Sequence, residues 1–158
     1  MALTVIYLMD TRPFQFTTFF LFLRLLVIII FLIALLHFYW AAGGKKGLLK
    51  SIPSKEDGTP LFLPNAFQCT IVGIGLMLIL VVIGLWLNKS IFSDQVFKYG
   101  FIILGGIFTL RAIGDFNYVG FFKKIKDTSF GKLDSKFYSP LCLLIGGIFF
   151  WMAITVQI

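Results

Sequence analysis

Arg111 and Asp115 stand four residues apart at the end of an apolar run, in the stretch RAIGDFNYVGFFKK that covers residues 111–124. Charge inside or beside a membrane span is expensive, so such a pair is a functional hypothesis by default. On a helix this spacing puts both side chains on one face. Asp115 then falls near the negative end of the helix dipole, where a carboxylate needs a cation close by. Arg111 is the first source of one, with His37 or a loop lysine as further sources. Two chemistries fit: a charged pocket for a headgroup, an ion or a small anion, or a structural ion pair that locks the helix end. The ion pair is the preferred reading, because structural networks imitate functional ones.

Other groups able to do chemistry lie at comparable places. His37 and Trp40 end the first apolar run, Tyr118 follows Asp115, and Asp134 and Tyr138 precede the last run. His37 could relay protons or bind a ligand; packing as a hydrogen-bonded residue at a helix end is the commoner role. With one histidine and two cysteines, Cys69 and Cys142, and with no CxxC or paired-His spacing, no metal or cofactor is indicated. A Ser-His-Asp order and a phosphate loop are absent as well, so the chain carries no catalytic signature. Phe116, Tyr118, Phe121 and Phe122 precede Lys123, Lys124 and Lys126. That pattern reads as an interfacial segment, with rings at the headgroup level and ammonium groups on lipid phosphates.

The elements that must position these residues are apolar. Of 158 residues, 59% are hydrophobic and 13% charged, and the mean hydropathy is +0.96. Soluble domains are about 45–50% apolar and about 25% charged. Four runs stand out, at about residues 17–40, 67–87, 96–113 and 140–156. Each is close to the ~20 residues that cross ~30 Å of hydrocarbon as a helix, and lone strands cannot cross lipid because their backbone groups would go unpaired. The expected fold is therefore an all-α membrane protein, a single domain over residues 1–158 with four transmembrane helices in an antiparallel bundle.

Basic residues orient it. The loops after the first and third runs carry Lys45, Lys46, Lys50, Lys55, Lys123, Lys124, Lys126, Lys132 and Lys136, nine in all, against three on the other side, Arg12, Lys89 and Lys98. The positive-inside rule places both long loops in the cytoplasm and both termini outside. The polar groups above then share the cytoplasmic face. A net charge of +7 carried in such loops points to anionic lipid headgroups as partners and not to nucleic acid. The cysteines begin the second and fourth spans on that side, where a stable disulfide is not expected. The short link around residues 88–95 makes the second and third helices neighbours. Three prolines, Pro53, Pro60 and Pro64, make the first long loop irregular, and Ser139-Pro140 reads as the cap and first residue of the fourth span.

Arg24, seven residues into the first span, is expected to snorkel outward. Gly105-Gly106 and Gly146-Gly147 suit close helix packing within the bundle or in a homo-oligomer. Met1 to Leu8 is apolar but too short to span and lacks a signal-peptide pattern; it reads as an interfacial stub, with Met9 as an alternative start.

HFYWAAGG (residues 37–44), RAIGDFNYVGFFKK and DSKFYSPLCL (residues 134–143), with GTPLFLPN (residues 58–65) before an apolar run, together resemble the bacterial membrane family called domain of unknown function 3995. The resemblance covers nearly all of the chain after about Arg12. It implies a small four-span bacterial protein of the cytoplasmic membrane and no activity. The positions carried over are His37, Trp40, Gly43, Gly44, Arg111, Gly114, Asp115, Tyr118, Gly120, Asp134, Tyr138 and Pro140. The expected function is that of a non-enzymatic membrane protein, structural or binding lipid or a partner through its polar cap. One rival is a small oligomeric transporter, with Arg24 and Arg111 facing an interior path. Another is an enzyme acting on a lipid headgroup, with Asp115 or Asp134 as base and His37 as acid.

Overall fold

Four long helices carry the chain, in a computed structural model that describes the backbone of residues 2–88 and 92–156 and side chains from residue 17 onward. α1 runs Ala2–Ala41, α2 Ala66–Leu87 and α3 Asp94–Ile113. The last begins as α4, Ser129–Leu133, widens into one π-helical turn, Asp134–Tyr138, and continues as α5, Ser139–Thr155. All four are long and apolar enough to cross a membrane. α2 shows why: it buries only Cys69, Gly73 and Ile83, while Phe67, Ile71, Leu78 and Val81 stand exposed around it. A helix apolar on every side and buried on almost none suits lipid as its solvent.

The spans fall where the apolar runs put them, with three differences. α1 extends back through residues 2–16, so residues 2–8 are not a separate backbone element; the interfacial role expected of Met1 to Leu8 falls on side chains outside the described residues. α3 starts at Asp94, behind Ser93. Ser139-Pro140 does not start the fourth helix. Thr128 does, its hydroxyl accepting from the Gly131 N–H at 2.9 Å. Proline has no N–H to give and its ring crowds the preceding turn. The chain passes it by loosening one turn, in which the Ser139 N–H donates to the Asp134 carbonyl five residues back.

α1 packs on α2, and α3 on α5; α2 and α3, expected as neighbours from their short link, meet more sparsely. Small residues decide the pairing. A Cβ on Gly146 would meet Thr109 Oγ1 and the Gly105 carbonyl, and one on Gly105 would meet the Phe150 ring. Gly73 likewise takes Phe38. The first glycine of each Gly-Gly pair thus seats α3 against α5, whereas Gly106 and Gly147 face open space.

The apolar core gathers Leu23, Leu26 and Ile30 of α1, Ile83 of α2, Phe97 and Phe101 of α3, and Ile145, Phe149 and Met152 of α5. Edge-on rings link the helices there: Phe19 with Trp86 and Trp151, and Trp86 with Phe101. These residues lie toward the start of the described part of α1, the end of α2, the start of α3 and the end of α5. The polar groups lie toward the opposite ends.

The first long loop is irregular, as its prolines imply. It holds a 3-10 turn, Leu48–Ser51, and an isolated bridge between Ser54 and Pro60. It delivers Asn65 to the start of α2, where Asn65 and Gln68 cap each other's N–H groups at 2.9 and 3.0 Å.

Candidate functional site

α3 stops at Ile113 because Gly114 turns to φ 88°. The loop then returns on itself at Gly120, φ 91°. A Cβ on Gly114 would strike the Val119 carbonyl, and one on Gly120 the Ile113 carbonyl, so only glycine fits either place. Inside this loop Asp115 Oδ1 accepts the N–H groups of Asn117, Tyr118 and Val119 at 3.0, 2.7 and 2.8 Å. The Phe121 N–H ties the exit of the loop to the Ala112 carbonyl at 2.8 Å.

Arg111 and Asp115 therefore do not form the expected pair. Four-residue spacing joins side chains only on a continuing helix, and the helix has ended before Asp115. The carboxylate finds three backbone N–H groups in place of a cation. Burial works against its ionisation, but the N–H groups of Val119, Tyr118 and Asn117 outweigh it and hold the carboxyl below its ordinary value.

Arg111 instead reaches Asp134: Nη2 donates to Oδ1 at 3.0 Å. Asp134 is wholly buried, and its other oxygen accepts from the Gly120 N–H at 2.8 Å and from Lys123 Nζ at 3.0 Å. Lys123 is equally inaccessible. Its ammonium group also donates to the Gly120 carbonyl at 2.9 Å and to Ser135 Oγ at 2.7 Å, which occupies all three of its protons. One carboxylate thus ties together the end of α3, the glycine loop and the π-helical turn. Arg111 stays about a third exposed, with a side-chain accessibility of 35%. Its Nη1 and Ser139 Oγ are buried without a hydrogen-bond partner among the described residues.

Lys123 is the residue that sequence reasoning missed. The sequence pattern groups it with Lys124 and Lys126 in the headgroup layer, yet it is the internal counter-ion of Asp134. Nothing in FFKK separates the first lysine from the second. The separating feature is the turn at Gly120, which points Lys123 inward and leaves Phe122 and Lys124 outside.

The remaining predicted residues form a second group. His37 Nδ1 lies 2.8 Å from the Ile33 carbonyl, and its ring meets Trp40 edge-on at 5.1 Å. Trp40 Nε1 donates to the Lys46 carbonyl at 3.1 Å, which ties the loop after α1 back to the helix. Tyr138 is not ahead of the last helix but within it, and its hydroxyl reaches the Lys50 carbonyl at 3.4 Å. Tyr118 contributes its backbone N–H to Asp115. No described hydrogen bond or ion pair joins His37 or Trp40 to Arg111, Asp115 or Asp134. Among the described residues no cluster of His, Cys, Asp and Glu has the makings of a metal site, and Cys69 and Cys142 are free thiols.

The stretches that build the glycine-bounded loop and the triad of Arg111, Lys123 and Asp134 fall within residues 30–149, which match the family model described as protein of unknown function (DUF3995). The chain belongs to the DUF3995 family. The match takes in most of the chain and includes His37, Trp40, Arg111, Lys123 and Asp134. No curated protein and no solved structure gives a significant match. Membership in DUF3995 brings no reaction with it, so the functional reading rests on the geometry.

Proposed function

We propose that this is a non-enzymatic multi-pass protein of the bacterial cytoplasmic membrane, an antiparallel four-span bundle whose cytoplasmic cap holds anionic lipid headgroups. The observation that carries this reading is the division among neighbouring lysines. Lys123 is buried on Asp134. Lys124, Lys126, Lys132 and Lys136 are exposed, beside Phe122, 63% exposed, and Phe137, 53% exposed. The buried triad fixes the backbone; the outer lysines and rings then form a surface suited to phosphate and glycerol at the interface.

The rivals have less support. A transport path lined by Arg24 and Arg111 needs both to face inward, and Arg24 is exposed on the outer side of α1. Headgroup chemistry by His37 with Asp115 or Asp134 needs those groups near one substrate position. His37 instead packs on Trp40, Asp115 is committed to backbone N–H groups, and Asp134 is held by two cations.

The test is lipid selectivity in mixed phosphatidylglycerol and phosphatidylcholine nanodiscs. The protein should enrich phosphatidylglycerol around itself, less so at high salt, where exposed charges are screened. Lys124→Gln/Lys126→Gln/Lys132→Gln should abolish the preference. Equal recovery of both lipids by the wild-type protein would sink the proposal.

A further inference from the structure

An apolar groove lies between α1 and α5, with Phe22 and Trp151 toward one end and Phe121 and Pro140 toward the other; Leu144 and Gly147 are in its wall. Its volume is about 540 Å³, within the ~300–1,000 Å³ of small-ligand sites. We infer that one acyl chain of a phospholipid occupies this groove, with its headgroup on the lysines at the Phe121 end. The inference rests on the headgroup reading above and adds a defined seat for the rest of the lipid.

Three features select this occupant. The first is length. Pro140 and Trp151 are eleven helical steps apart, about 16 Å at helical rise, which is close to half of the ~30 Å hydrocarbon core. The groove therefore has the depth of one leaflet, which is the reach of one lipid chain. The second is cross-section. The groove holds about 540 Å³ over that length, a slot that a single extended chain fills, whereas a helix about 10 Å across would lie over it and leave it partly empty. The third is charge. The wall is apolar, while Lys124 lies three residues beyond Phe121 and Lys136 four before Pro140, both exposed. An apolar slot one leaflet deep, with exposed cations close in sequence to the residues at one end, suits an anionic phospholipid.

The groove follows from the packing. Phe19 and Phe22 hold α1 against Trp151 with ring centroids 5.2 and 5.9 Å apart. Elsewhere α1 and α5 meet little, since α1 is paired with α2 and α5 with α3. Gly147 keeps the wall low: a Cβ there meets no atom within 4 Å.

That open space supplies the test. Gly147→Phe fills the groove from its own wall. Wild type and variant are purified in detergent, titrated with phosphatidylglycerol and with phosphatidylcholine, and read by native mass spectrometry. The wild-type protein should retain one phosphatidylglycerol tightly, and Gly147→Phe should weaken that retention at least tenfold. Lys124→Gln/Lys136→Gln should remove the preference for phosphatidylglycerol while a single lipid is still held. If Gly147→Phe retains the lipid as well as wild type, the groove is not the seat. If the lysine variant still loses selectivity in that case, the headgroup reading survives alone; loss of neither effect ends both. A shift of the wild-type protein from dimer to monomer on Gly147→Phe would assign the groove to a second copy and overturn the inference. Should Gly147→Phe fail to fold, phosphatidylglycerol with a diazirine-bearing chain decides the matter on the wild-type protein. Labelling should concentrate several-fold on residues 140–151 over the exposed face of α2, and even labelling of the two overturns the inference.

Discussion

Lys123 Nζ lies 3.0 Å from Asp134 Oδ2, with both side chains fully withdrawn from solvent. Eleven residues separate them, and that short interval contains the exposed Phe121, Phe122, Lys124 and Lys126. The buried pair is thus the anchor of the surface that faces outward.

Buried pairs are costly to break from one side, because the remaining charge has no water to turn to; about 3–5 kcal/mol is typical. Asp134→Leu should fall in that range, since it strands Lys123 and deprives Arg111 and the Gly120 N–H of their acceptor. Lys123→Met should cost less, because Asp134 keeps Arg111 and the Gly120 N–H. Arg111→Gln should cost least, as Arg111 is partly exposed and its pairing is screened. The double variant Asp134→Leu/Lys123→Met should recover part of the loss seen with Asp134→Leu alone. Unfolding in mixed detergent gives all four values, and a double variant no more stable than Asp134→Leu would refute the pairing.

Gly114→Ala and Gly120→Ala should each destabilise the protein by more than ~1 kcal/mol, the usual range when a residue with a Cβ is forced to positive φ. Each new methyl would also meet a carbonyl across the loop. Gly106→Ala is the control: its Cβ meets nothing within 4 Å, and alanine is the better helix residue by roughly 0.5–1 kcal/mol, so it should be neutral or stabilising. Thermal unfolding of the three variants side by side checks the order.

The helices were legible because the bilayer imposes one long apolar run per span; the second and third runs meet the observed helices within a few residues, while the first and last helices begin more than ten residues ahead of their runs. Asp134 was legible as an acid beside a span. What could not be read was pairing. Arg111 looked four residues ahead to Asp115, but Gly114 ends the helix before that face is completed, and the partner lies 23 residues on. Lys123 could not be told from Lys124 because its burial depends on a backbone reversal at Gly120, not on its neighbours' hydrophobicity. The Ser139-Pro140 signature misled for a related reason. A proline usually opens a helix, but one widened turn lets a helix that began at Ser129 carry it.

Asp115 gives a pH dependence with a definite sign. Its folded-state carboxyl is held below the ordinary 3.8 by backbone N–H groups. The folded state therefore binds that proton less readily than the unfolded chain does. The contribution to stability is complete above 3.8 and is lost as pH falls through the lower folded-state value. Asp115→Asn should be less stable than wild type at neutral pH and should lose less further stability on acidification. Melting temperatures of both proteins, from neutral pH to well below 3.8, should converge; parallel curves would remove Asp115 from its role as the loop's anchor.

Orientation is open to a direct test that leaves the triad intact. In a Cys69→Ala/Cys142→Ala background, Lys126→Cys lies in the loop between α3 and α4 and Asn88→Cys at the end of α2, both exposed positions. In the orientation proposed above, the first is cytoplasmic and the second lies outside. A membrane-impermeant maleimide added to intact cells should label Asn88→Cys, and Lys126→Cys only after the membrane is opened. The opposite pattern would turn the bundle over. The exposed lysines would then meet the outer leaflet, and the lipid-binding face with its groove would have to be assigned to that leaflet instead.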